Sequence, residues 1–252
     1  MLFNTVIWYF FFYAVIGYLV EVTYCSVPQR KLVNRGFLYG PWLPIYGIGA
    51  LLIIIGTHHV VTKPILVFFV TVFLTSAVEY IGGWGLERFF GLRLWDYSTY
   101  RFNFRGRICL RNSTLFGLLG LALVYGIHPA VQKVVAAMGE RTADIGAHVI
   151  VLVFAIDTTA SVLSMRSFAA LLERYHLRKG EIEEKLASQS QARLLVERLK
   201  EERVELMETL ALKSRSILSR FPSLTSQSEE RKGHLRAVRE RIEEILQERK
   251  KR

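Results

Sequence analysis

Pro64–Leu86 reads PILVFFVTVFLTSAVEYIGGWGL and carries a single charge, Glu79. About 20 mainly apolar residues suffice for a helix to cross the hydrocarbon of a bilayer. Peptide groups at that depth must bond within their own segment, so the stretch reads as a transmembrane helix. Four more stretches share its character: Leu2–Tyr24 with Glu21, Phe37–Gly56, Leu115–Val131, and Ile145–Met165 with Asp157. The expected fold class is all-α, a polytopic membrane protein with five transmembrane helices. Leu2–Tyr24 has no basic segment before it and no small-residue cleavage site after it, so it reads as a retained first span rather than a signal peptide.

Charge separates this part from the rest. The chain has 252 residues, with 33 Lys and Arg against 22 Asp and Glu, a formal net charge of +11. Residues 1–169 hold only 13 basic and 7 acidic side chains, and residues 170–252 hold the remaining 20 and 15. So sparse a distribution excludes an ordinary soluble fold for residues 1–169, which read as a five-span membrane domain. Residues 170–252 read as a charged cytoplasmic helical tail.

Lys and Arg asymmetry gives the orientation. With five spans, one side collects 13 of these residues up to Lys179, from Arg30, Lys31 and Arg35 through the arginines between 88 and 111 to Arg166, Arg174 and Arg178. The other side receives 3, Lys63, Lys133 and Arg141. The N-terminus is therefore expected outside a bacterial inner membrane and the tail in the cytoplasm. Cys25 and Cys109 fall on the cytoplasmic side, where a disulfide is not expected. They read as small apolar fillers.

Polar groups inside the spans point to function, because burying a carboxyl at mid-membrane is costly. Glu21 follows Gly17 by one helical turn, and Glu79 precedes Gly83 by one, so the first and third spans are expected to pack on these small residues with both carboxyls between them. Glu87 lies eight residues beyond Glu79, at the cytoplasmic boundary. Asp157 begins a polar stripe with Ser161 and Ser164.

Between the third and fourth spans runs RFFGLRLWDYSTYRFNFRGRICLRN, Arg88 to Asn112, with six arginines set among Phe, Trp and Tyr. The alternation suits a re-entrant or interfacial segment whose rings face acyl chains while its guanidinium groups face phosphate. NRGFLYGPWLPIYGIG, Asn34–Gly49, leads into the second span on the same side. Its glycines and prolines argue for irregular backbone, tolerated at membrane depth only under protein or water. Together the two segments and the acids describe an Arg-rich vestibule open to the cytoplasm. Three readings of it stay open. The charges could fix topology as buried ion pairs, such as Glu87 with Arg107; they could bind an anion through the planar guanidinium fork; or Glu79 and Asp157 could relay protons.

In the tail, Ile182, Leu186, Val196, Leu199, Leu206, Leu210 and Ile217 form an apolar stripe that breaks at Pro222. A second run restarts near Glu229, with Leu235, Val238, Ile242 and Ile245. Two helices so joined can fold back as a hairpin or form a coiled coil with another chain. Residues 178–252 thus offer a surface for a homo-oligomer or a partner helix, and the basic excess suits an anionic leaflet. There is no GxxxxGK[ST] loop, HExxH site, GxSxG elbow or kinase motif, so no catalytic residue is named. His58 and His59 read as a solvated pair. No cofactor, metal or nucleic acid is expected.

Several blocks resemble a known family: Gly17–Glu21; Asn34-Arg35-Gly36-Phe37-Leu38-Tyr39-Gly40-Pro41 with Pro44-Ile45-Tyr46-Gly47; Glu79-Tyr80; Glu87; Trp95-Asp96-Tyr97-Ser98; and Gly106-Arg107-Ile108-Cys109-Leu110. They resemble the bacterial membrane protein family named "Putative ABC-transporter permease, type IV" over roughly residues 3–165. The resemblance implies a permease that works with a separate ATPase subunit, and it implies no particular substrate. The expected function is transport, with substrate contacts from Glu21, Asn34, Arg35, Glu79, Glu87, Asp96 and Arg107. Arg35 and Arg107 would hold an anionic group, Glu21 and Glu79 would carry protons or fix packing, and Asp96 would orient an arginine. The alternatives are a membrane enzyme acting on a lipid-linked or phosphorylated substrate, with Asp96 or Glu87 as general base beside Arg107, and a membrane scaffold that recruits partners through its tail.

Overall fold

A computed structural model describes residues 2–30, 36–188, 193–221, 224–226 and 228–251. The decisive stretch forms α3, Pro64–Phe90. Pro64 suits the first turn, where its missing N–H is not needed, and Gly91 ends the helix at φ +66°, donating its N–H to the Glu87 carbonyl at 2.8 Å. α1 covers Leu2–Gln29. α4 (Leu110–Ala122) and α5 (His128–Ala136) are joined by a π-helical turn, Leu123–Ile127. Pro129 has no N–H for the carbonyl four residues back and its ring crowds that carbonyl, which accounts for the widened turn. α6 runs Glu140–Ser188, with the expected fifth span inside it.

The second expected span takes a different form. Residues 36–43 are irregular, and α2, Pro44–Thr57, has 14 residues. At 1.5 Å per residue it is about 21 Å long, short of the ~30 Å hydrocarbon thickness. Among the described residues, four helices are long and apolar enough to cross a membrane, within Leu2–Val27, Pro64–Phe90, Leu110–Ala136 and Glu140–Glu181. Pro41 and Pro44, with Gly36 and Gly40, deny the helix its first turns. The irregular segment lies against the middle of α1, where the Leu43 N–H donates to the Ala14 carbonyl at 2.9 Å.

The chain divides into two compact units, residues 1–85 with 95–161, and residues 86–94 with 162–252. In the first, α1 packs most extensively on α2, around a core of Tyr13, Ala50, Ile53, Val67, Leu123, Val124 and Val131. Close approach depends on glycine. A Cβ on Gly17 would lie 2.3 Å from Cβ of Tyr46, and one on Gly120 would lie 2.2 Å from Thr71. The expected meeting of first and third spans on Gly17 and Gly83 is therefore corrected. Gly17 receives Tyr46 of α2, while Gly83 faces Trp95 and the Arg107 side chain. Outward residues such as Ile65 (74% exposed) and Phe73 (73%) are large and apolar, as a lipid-facing surface requires.

The second unit has a core of its own. Phe168, Leu172 and Tyr175 of α6 are buried, as are Leu210 and Ile217 of α7 (Arg193–Arg220) and Leu235 and Val238 of α8 (Glu229–Lys251). α7 and α8 pack together within one chain, with Arg241 donating to Glu208 at 2.6 Å. Arg93 and Thr225 exchange two backbone hydrogen bonds of 2.8 and 2.9 Å. The restart at Glu229 and the stripe residues Leu210, Ile217, Leu235 and Val238 match the sequence pattern; the break at Pro222 and the side chains of Ile182, Leu186, Val196 and Leu199 lie outside the described residues.

Candidate functional site

The arginine-rich stretch builds a small braced structure in the first unit. Asn103–Phe104 (β1) and Ile108–Cys109 (β2) pair antiparallel. The turn between them places Arg105 (φ 52°) and Gly106 (φ 68°) in the left-handed region and closes when the Arg107 N–H donates to the Phe104 carbonyl at 3.1 Å. Asn103 ties the preceding loop down, donating to the carbonyls of Ser98 (3.2 Å) and Tyr100 (2.8 Å). The Tyr97 N–H donates to the Gly106 carbonyl at 2.8 Å.

This brace sets the direction of Tyr97, whose hydroxyl donates to Oε1 of Glu79 at 2.9 Å. A second pair mirrors it, with the Tyr46 hydroxyl donating to Oε2 of Glu21 at 2.8 Å. Cys25, one turn after Glu21, donates its thiol to Oε1 at 3.6 Å. The two pairs converge. Burial pushes the Tyr97 phenol well above its ordinary range, the Glu79 carboxylate adds to that, and Glu21 contributes in the same direction, while a hydrogen bond with Asn112 opposes it. The result is a cluster of two carboxyls and two phenols, Glu21, Tyr46, Tyr97 and Glu79. Glu79 is 6% exposed, and its Oε2 is buried with no hydrogen-bond partner among the described residues.

Arg107 reaches α3 at the very next residue, Tyr80. Its guanidinium lies 5.2 Å from the centre of the Tyr80 ring and donates to the Tyr80 hydroxyl at 3.2 Å, and its carbonyl accepts from Trp95 Nε1 at 3.0 Å. Arg105 lies over Phe104 and Arg111 over Tyr100, each at 5.7 Å. Three of the guanidinium groups thus stack on rings, where the alternation alone suggested rings and charges facing opposite ways. Phe102 and Phe104 are exposed.

Asp157 occupies a different place. Its Oδ1 accepts the Tyr39 N–H at 2.8 Å and the Ser161 hydroxyl at 3.3 Å; its Oδ2 accepts the Gly40 N–H at 2.8 Å and Trp42 Nε1 at 2.9 Å. The carboxylate satisfies the irregular backbone before α2, as a segment without helical bonds requires in an apolar setting. Both oxygens are occupied, which leaves little room for a relay role.

The remaining expected residues fall as follows. Asn34 and Arg35 lie outside the described residues. Asp96 accepts the Ser98 N–H at 3.0 Å in a local turn. Glu87 belongs to the second unit, where Arg93 donates to it at 2.9 Å. Tyr46 and Tyr97 are the site residues the sequence reading passed over, and both stand inside blocks it had singled out. Cys25 and Cys109 are buried and form no disulfide. Among the described residues, the first unit gathers no trio of metal-ligand side chains, and one such trio lies in the second unit.

A family model described as "Putative ABC-transporter type IV" matches residues 8–162. The chain belongs to this family. The match takes in all four members of the carboxyl–phenol cluster, together with Asp157. Residues 163–252 lie beyond the matched region. No curated protein and no solved structure matches the chain.

Proposed function

We propose that the chain is the membrane-embedded permease of an ABC-type transporter, and that its substrate passes the Glu21–Tyr46–Tyr97–Glu79 cluster. The observation that carries this reading is the bare Oε2 of buried Glu79 beside a second carboxyl. An unpartnered carboxylate oxygen in a span costs several kcal/mol, roughly, and contributes nothing to packing. A proton or a cationic group of a passing substrate would offset that cost. Arg107 would supply the opposite charge for an anionic group, with Asp96 and, on the sequence pattern alone, Asn34 and Arg35 as further candidate contacts. The chain crosses the bilayer five times in this reading, its second crossing made of residues 36–43 followed by α2. The Lys and Arg asymmetry supports an outside N-terminus and a cytoplasmic tail in a bacterial inner membrane.

Energy comes from a separate ATPase subunit. Purifying tagged chain from its native membranes tests this directly. An ATP-hydrolysing subunit should co-purify, and Glu79→Gln should abolish ATP-driven substrate movement in vesicles without changing assembly. Absence of an ATPase, or unchanged flux in the variant, removes the permease reading. Turnover of labelled lipid extract by the chain alone would favour a membrane enzyme instead. The separate core of the second unit favours one further role, recruitment of a partner or a second copy through residues 178–252. Truncating there should then reduce complex size while leaving membrane insertion intact.

A further inference from the structure

We propose that His176, Glu230 and His234 form a divalent-metal site of the zinc class in the second unit. Each offers one ligand atom, and these atoms all lie within 4.8 Å of one another. Glu230 and His234 are four residues apart on α8 and so share a face; His176 comes from α6. Two ligands held about 2.0–2.2 Å from zinc at the tetrahedral angle stand about 3.4 Å apart. His176 Nδ1 and Glu230 Oε1 are 3.4 Å apart.

That spacing is informative for a second reason. A charge-assisted hydrogen bond contracts to about 2.7–2.9 Å, yet this pair has not closed. His176 Nδ1 is buried and has no hydrogen-bond partner among the described residues. A divalent cation bound at this spacing would give that nitrogen a partner. His234 is 3% exposed and lies 5.2 Å, ring centre to ring centre, from both His176 and Tyr175. Lys179 sits 3.3 Å from His234 Nε2, so ligation uses Nδ1. Loading moves the ring proton to Nε2, and the flexible lysine turns its ammonium outward. Two imidazoles and a carboxylate suit zinc better than calcium or magnesium, which prefer all-oxygen shells. Glu230 is largely exposed, so water can enter and complete the tetrahedron. The metal would clamp α8 to the last turns of α6.

The sequence reading found no metal because the two histidines are 58 positions apart, and the i, i+4 pair on α8 is unremarkable without His176. The test uses full-length protein in detergent, stripped with chelator and titrated with zinc chloride alone. One zinc per chain should bind, and cobalt should give the visible bands of a tetrahedral site. His176→Gln should weaken binding at least about tenfold, since losing a ligand costs no less than losing its supporting shell. Glu230→Gln, at an exposed position that does not threaten folding, should weaken it to a similar degree. His58→Gln with His59→Gln should leave it unchanged. Absence of stoichiometric binding, or wild-type affinity in the His176 and Glu230 variants, overturns the proposal.

Discussion

Asp157 and Glu79 are both acids near the middle of long apolar helices, and their surroundings differ in kind. Asp157 receives two backbone amides, an indole and a hydroxyl. Glu79 receives one phenol and keeps an oxygen bare. A carboxylate with its acceptors filled holds structure together, and removing it strands its donors. One with unused capacity is held by the fold around it, and its removal strands little. Sequence position distinguishes the two poorly; the number of donors that meet each does.

The largest expected effect is Asp157→Ala. It leaves the N–H groups of Tyr39 and Gly40 and the Trp42 indole without their acceptor. Hydrogen bonds to a charged group are worth about 1.5–3 kcal/mol each, and a stranded buried donor costs about 1–3. A loss of at least about 3 kcal/mol follows, seen as a much lower unfolding midpoint in detergent. Asp157→Asn keeps one acceptor oxygen and should fall between. A midpoint within a degree or two of wild type for the alanine variant would refute the pinning role and the comparison with it.

Next comes Gly17→Ala, which tests whether α2 is set by its contact with α1. The new methyl would meet the Tyr46 side chain at 2.3 Å, and overpacking of that kind costs about 1–3 kcal/mol. Because Tyr46 also orders Glu21, transport should suffer beyond the stability loss. The same substitution at Gly49, where a Cβ meets nothing within 4 Å, serves as the control and should be neutral or slightly stabilising.

What the sequence disclosed follows from the same physics. Long apolar runs need no tertiary context to be recognised, so α1, α3 and α6 were legible, as was the restart of the tail at Glu229. The second span was misjudged in form because hydropathy counts Phe37–Leu43 as apolar without asking whether two prolines allow a helix. Its irregular backbone was nonetheless predicted from those residues. Glu21 and Glu79 could be named because an acid in an apolar run stands out. Tyr46 and Tyr97 could not, since tyrosine near a membrane boundary is commonplace and only the hairpin brace directs Tyr97 at Glu79. Arg107 was left open between an ion pair and an anion site, and its stacking on Tyr80 depends on where the turn at Arg105 and Gly106 sends it.

Tyr97→Phe removes a single donor, and its expected cost is about 1 kcal/mol. It also carries a pH signature. The folded-state phenol titrates above its ordinary value of 10.0, from burial first and Glu79 second. Above pH 10 the unfolded chain releases this proton while the folded chain keeps it, so stability falls as pH rises, by up to about 1.4 kcal/mol per pH unit for one group. Below pH 10 the group adds no slope. Midpoints measured from pH 9 to 11.5 should therefore converge between variant and wild type as alkalinity increases. Parallel curves would mean that Tyr97 is not held in its protonated form by its surroundings.

Glu79→Gln should have the smallest effect on stability and the largest on function. The glutamine carbonyl can still accept from Tyr97, the bare anionic oxygen is gone, and the neighbouring Glu21 no longer faces a second carboxylate. Against these stands the new amide N–H₂, whose unmet hydrogen bonds cost about 1–3 kcal/mol if nothing receives them. Gains and cost are of similar size, so the unfolding midpoint should move by less than a third of the Asp157→Ala shift, in either direction. Substrate movement, by contrast, should stop. If both variants destabilise alike, Glu79 is a second pin, and the open oxygen has no part in what the membrane unit does. If Glu79→Gln is stable and inactive, the capacity left unused in the fold is the capacity used in transport.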